Sequence, residues 1–160
     1  MASVPEIAAM ATQQAADKLV KNFEIMPADK QQWKPLDLGR SAFDQILECL
    51  VINQVGAQTF RDRAFPNIQG DQWGQVFGKA AAENDTPEKL IASFKQATAD
   101  LVAAAKAFPE DQLDNTIVLP FDGSTRCWSE VIFFAYWNMT YHEGQINYIQ
   151  TLYGDKEYHA

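Results

Sequence analysis

Apolar residues recur at helical spacing in four long stretches of the chain. Between Val4 and Ile25 the residues Ile7, Ala11, Ala15, Leu19 and Phe23 form a stripe at four-residue intervals, the pattern of a helix with one buried face. Ser3 followed by Glu6 matches a capping box at its start, and Met26-Pro27 ends it because proline lacks the amide donor that a helix interior needs. The link from Lys30 to Gly39 is turn-rich. A second helix starts at Ser41, with Asp44 as the boxing acid, and runs to Phe60 or Ala64. Phe43, Ile46, Leu47, Leu50, Val51 and Gln54 define its inner and flanking faces. Thr86-Pro87-Glu88 opens a third helix with a capping hydroxyl, a proline at the first position and an early acid. Leu90, Ile91, Phe94, Ala97, Leu101, Ala104 and Ala105 carry it to Ala107. A fourth helix runs from Arg126 to Tyr153, and Gly154 stops it. Four such helices with a long crossover between the second and third predict an all-α four-helix bundle filling residues 1–160 as one domain.

Two stretches escape this pattern. Between Pro66 and Asp85 three glycines (Gly70, Gly74, Gly78) surround Trp73 and Phe77. No element is assigned there, and the aromatics are expected to fold back on the bundle. Thr116–Pro120 is β-branched and apolar but short, an extended piece closed by proline, and residues 121–125 form a turn.

Composition narrows the function classes. The 160 residues are 47% hydrophobic and 21% charged, as in a globular chain with a substantial core. A formal net charge of −8 leaves no basic surface to neutralise phosphates, so nucleic acid is not an expected partner. The N-terminal stretch has no basic region followed by an apolar run, and no segment approaches 18 uninterrupted apolar residues. A cytoplasmic protein off the membrane is expected. Cys49 and Cys127 share no metal-type spacing, so reduced thiols are the expectation and a disulfide stays open.

Candidate chemistry centres on the fourth helix. His142 is one of two histidines, and Asn138 lies one turn before it on the same face. That spacing suits two ligand side chains on one metal ion, and it equally suits a buried polar pair that pins helices together. Cys49 reads as a thiolate ligand or as a small buried side chain. Asn53, four residues on, either extends a polar pocket or fixes helix register. Glu48, a quarter-turn from Cys49, reads as solvated. Gln145 and Tyr141 are neighbours of His142 able to touch a ligand. The dense aromatics Trp128, Phe133, Phe134, Tyr136, Trp137 and Tyr141 read as core or dimer contacts. His159, beside the C-terminus, reads as exposed. The chain has no Gly-rich phosphate loop, no G-x-S-x-G, no H-E-x-x-H and no C-x-x-C.

Three pieces together resemble the DinB/YfiT-like superfamily: Met26-Pro-Ala-Asp-Lys-Gln-Gln-Trp33-Lys-Pro35, Gly39-Arg40-Ser41 opening a helix with Ile46-Leu47-Glu48-Cys49-Leu50, and His142-Glu-Gly-Gln145 before Leu152-Tyr-Gly154. The resemblance spans nearly the whole chain. It implies a four-helix bundle, often dimeric, that holds nickel or zinc with three histidines, one on the second helix and two on the fourth. Relatives include thiol-dependent transferases and metal-dependent hydrolases. Matched onto this chain, the three positions fall on Cys49 (Glu48 after a one-residue slip), Asn138 and His142. The resemblance thus implies an altered site in which a divalent ion is held weakly or not at all. Three readings follow. One is a DinB-like protein with an empty metal site and a small-molecule pocket. Another is a metal-dependent hydrolase or thiol-dependent transferase working at Cys49, Asn138 and His142. The third is a non-catalytic homodimer with a binding or structural role.

Overall fold

The structure, a computed structural model, describes residues 1–157 and 159. The chain is predominantly helical. Its elements in order are α1 (Val4–Glu24), α2 (Ala28–Gln31), α3 (Ala42–Asp62), α4 (Gln72–Glu83), α5 (Pro87–Lys106), a 3₁₀ turn (Glu110–Gln112), β1 (Thr116–Val118), β2 (Thr125–Cys127), α6 (Trp128–Val131) and α7 (Phe134–Leu152). β1 and β2 form a small antiparallel hairpin with Ile117 opposite Arg126.

Local chemistry sets the helix starts. Ser3 and Glu6 exchange hydrogen bonds at the head of α1, and Ser41 and Asp44 do the same at α3, so both reciprocal boxes form. Thr86 caps α5 through its hydroxyl, with Pro87 at the first helical position. α3 stops at Arg63, which takes a left-handed φ of 56°. The chain turns at Gly154 with φ 99°, a conformation glycine adopts without steric cost.

The long helices enclose one continuous core. α3 packs on α5 and α7, and α1 packs on the same two. Phe23, Ile46, Leu50, Leu90, Phe94, Leu101, Met139 and Ile146 lie at its centre. α1 departs from its expected stripe in the first two turns. Ile7 is exposed and Ala8, Thr12 and Ala15 are buried instead, so the buried row starts one residue later and joins the expected row at Ala15, Leu19 and Phe23.

Two other expectations are corrected. Residues 66–85, left without an element, contain α4, which lies against α3. Its glycines hid it: Gly74 and Gly78 lower helix propensity by about 1 kcal/mol each, and Ala80 is its only buried residue. The fourth long helix also starts later than expected. Residues 125–127 are strand, a single turn follows as α6, and the backbone at Phe133 opens to a ψ of 0° before α7 begins. The 28–41 link is compact, because a β-carbon on Gly39 would lie 2.5 Å from the Pro35 carbonyl oxygen. That turn delivers Arg40 to the mouth of α3. None of the described helices is long and apolar enough to cross a membrane.

Candidate functional site

His142 sits on the inner face of α7 and is 1% exposed. Its ring is held from both sides. Nδ1 lies 2.8 Å from Oε1 of Gln145, one turn further along α7, and also meets Oε1 of Gln45 from α3. Nε2 lies 2.9 Å from Oε1 of Glu48, on the same face of α3 as Gln45. Amide and carboxylate oxygens accept, so both ring nitrogens face acceptor oxygens. Tyr141 covers the ring edge-on at a centroid distance of 5.3 Å.

Glu48 is the hub of this cluster. Its Oε1 also accepts from Asn138 Nδ2 at 3.2 Å, and its Oε2 pairs with the Arg40 guanidinium at 2.7 Å. Burial pulls the Glu48 pKa up. The His142 hydrogen bond and charge, the Arg40 charge and the Asn138 hydrogen bond together outweigh burial and hold it below the ordinary carboxylate value. Glu48 is therefore a carboxylate that stays ionised.

Of the residues singled out in the sequence, Asn138, His142, Gln145 and Tyr141 come together. Cys49 and Asn53 do not join them. Cys49 is fully enclosed in the apolar core, and burial, with the neighbouring Glu48 charge adding to it, pushes its thiol far above the ordinary range. The helix-two residue that meets His142 is Glu48, whose longer side chain reaches the α7 face from the flank of α3. Asn53 lies one turn below and donates to Thr98 Oγ1 of α5 at 3.0 Å and toward Met139 Sδ of α7 at 3.8 Å. It ties three helices together. Gln45 and Arg40 were not singled out. Gln45 was legible as a polar residue inside the apolar row Ala42, Ile46, Cys49 and Leu50, whereas nothing in the sequence marked Arg40 as its neighbour's partner. His159 pairs with Asp155 at 2.8 Å, away from this cluster.

Glu48 is also the one charged residue in the lining of a cavity of about 260 Å³. The walls are Ile52, Val55, Gly56 and Phe60 of α3, Trp73 and Phe77 of α4, Phe65 and Phe121 from loops, and Phe134 and Ala135 of α7. Its other lining residues are apolar or aromatic except Thr59, whose hydroxyl donates to Val55 O at 2.8 Å and so is already satisfied. A cavity of this size takes a bicyclic aromatic molecule: an engineered void of about 150 Å³ already admits benzene.

No protein-family model matches the chain, and no curated protein is detectably similar to it. The case for function therefore rests on the site.

The donor set fits a divalent metal poorly. Among the described residues no three His, Cys, Asp or Glu side chains assemble as a ligand group. Asn138 turns its N–H group, not its oxygen, toward Glu48, which places a donor where a metal needs a lone pair. Glu48 is already neutralised by Arg40. A dication sharing that carboxylate with the guanidinium, roughly 5 Å away, meets a repulsion of several kcal/mol at an effective dielectric constant of about 20.

Proposed function

We propose that this chain is a DinB-like four-helix bundle, with its long crossover between α3 and α5, whose ancestral metal position now serves as an anchor for an organic ligand. The ligand is a compact apolar molecule, aromatic and bicyclic in size, carrying one hydrogen-bond donor. The observation that carries this reading is a single charged residue, Glu48, in the lining of an otherwise largely apolar cavity. A carboxylate offers about four acceptor positions. His142, Asn138 and Arg40 occupy three of those on Glu48, which leaves about one for a ligand N–H or O–H. The aromatic walls supply most of the affinity through burial, and the carboxylate supplies orientation. His142, behind Glu48 and sealed from solvent, acts on the ligand only through that carboxylate. A protein working this way binds its ligand without nickel or zinc.

Melting experiments with a defined probe test this. Indole, an apolar bicycle with one N–H, is expected to raise the melting temperature of the native chain in a dose-dependent way, because it binds the folded state alone. Val55→Trp, which fills the cavity from α3, is expected to remove that rise. Equimolar zinc or nickel is expected to leave the melting temperature unchanged. A large rise with zinc, or an indole effect untouched by Val55→Trp, contradicts the proposal.

A further inference from the structure

One wall of the cavity is held far more lightly than the rest. Trp73 and Phe77 stand one turn apart on α4, line the cavity, and meet at a ring-centroid distance of 6.2 Å. Both are only half-buried, and Ala80 is the single buried residue of that helix. The other helices that line the cavity, α3, α6 and α7, all send side chains into the central core. A helix is held chiefly by the apolar surface it buries, so α4 is the helical wall that comes away most easily.

The weakness is graded along α4. The two aromatic residues belong to its first two turns, and so do Gly74 and Gly78. A β-carbon at either glycine would meet nothing within 4 Å, so packing of the folded chain requires neither. Glycine inside a helix favours the unwound state. α1, α3 and α5 each begin with a side-chain cap, whereas α4 begins at Asp71 with none. The far end is anchored. Asn84 is buried and donates to the Ala80 carbonyl at 2.8 Å, and Thr86 caps α5 two residues on. Unwinding is favoured at the front of α4 and resisted at its back.

We infer that residues 72–78 are a lid on the cavity. They unwind about the anchor at Ala80 and Asn84, lift Trp73 and Phe77 away, and let the ligand in and out beneath them. What passes the lid rests on the binding reading above; the opening of α4 does not. A cavity whose other helical walls belong to the core needs one wall that moves. Ligand enters and leaves through the same open state, so the population of that state sets both rates and cancels from the affinity.

Hydrogen exchange and ligand kinetics on the full chain test this. In the ligand-free native chain, amides 72–78 are expected to exchange at least about 100-fold faster than amides 46–57 of α3. Gly74→Ala/Gly78→Ala is expected to slow exchange at 72–78 by about tenfold or more, since each alanine favours the helix roughly fivefold over glycine. Fluorine NMR exchange spectroscopy with 5-fluoroindole as the probe gives both ligand rates. The double variant is expected to lower association and dissociation by a common factor, leaving the dissociation constant within about twofold. Native amides 72–78 that exchange as slowly as those of α3 overturn the lid. So do 5-fluoroindole rates that stay unchanged in a double variant whose exchange has slowed. A native chain that binds no 5-fluoroindole overturns the binding reading and the lid's role with it, while the exchange result still decides whether α4 opens.

Discussion

Glu48→His combined with Asn138→His is expected to turn the site into a zinc centre. With His142 the pair supplies three neutral nitrogen donors, one from α3 and two at four-residue spacing on α7. The hydrogen bonds that Glu48 accepts from both His142 and Asn138 show that these three positions already converge. The double variant also removes the carboxylate that draws in Arg40, whose half-exposed side chain is free to swing into solvent. Zinc affinity is expected to rise at least about 1,000-fold over the native chain, read by competition with a chromophoric chelator. Cys49→His with Asn138→His is expected to bring no such gain, since position 49 points into the apolar core. A gain from the Cys49 pair and none from the Glu48 pair contradicts the assignment of Glu48 as the α3 site residue.

His142→Ala is expected to cost about 2–4 kcal/mol of folding stability, from the cavity it leaves and the hydrogen bonds it removes. The ring is fully enclosed and contacts Gln45, Glu48 and Gln145. Its removal leaves a cavity, strips a donor from Glu48, and leaves two glutamine carbonyls facing a void. Urea unfolding measures the loss as a lower midpoint at unchanged slope. A cost under about 1 kcal/mol contradicts the view that this cluster locks α3 to α7.

The elements that announced themselves in the sequence are those whose signals are local. Ser3 with Glu6, Ser41 with Asp44 and Thr86-Pro87 all mark helix starts through hydrogen bonds that span three residues. The hairpin was half legible: Thr116–Val118 read as extended, but its partner Thr125–Cys127 was divided between the turn and the following helix. α4 was not legible, because its two glycines and thin burial erase both propensity and pattern. In the site, Asn138, His142, Gln145 and Tyr141 were legible because one helix face carries or flanks them. The α3 contribution was ambiguous by one residue. Positions 48 and 49 differ by about 100° around the helix, so either borders the buried stripe. Side-chain length decided it: short Cys49 fills the core, and long Glu48 reaches round to His142 and Asn138. Arg40 was invisible for another reason. Its position depends on the close turn at Gly39 against Pro35, a tertiary feature with no periodic trace.

The central claim is that Glu48 receives a ligand donor in a largely apolar cavity. The most direct measurement is a pair of calorimetric titrations of the native chain, with indole and with benzofuran. The two molecules share size and shape, and only indole carries an N–H. A hydrogen bond to a charged acceptor contributes about 1.5–3 kcal/mol, so indole is expected to bind at least about tenfold more tightly. Equal affinities, or no binding of either, would contradict the account.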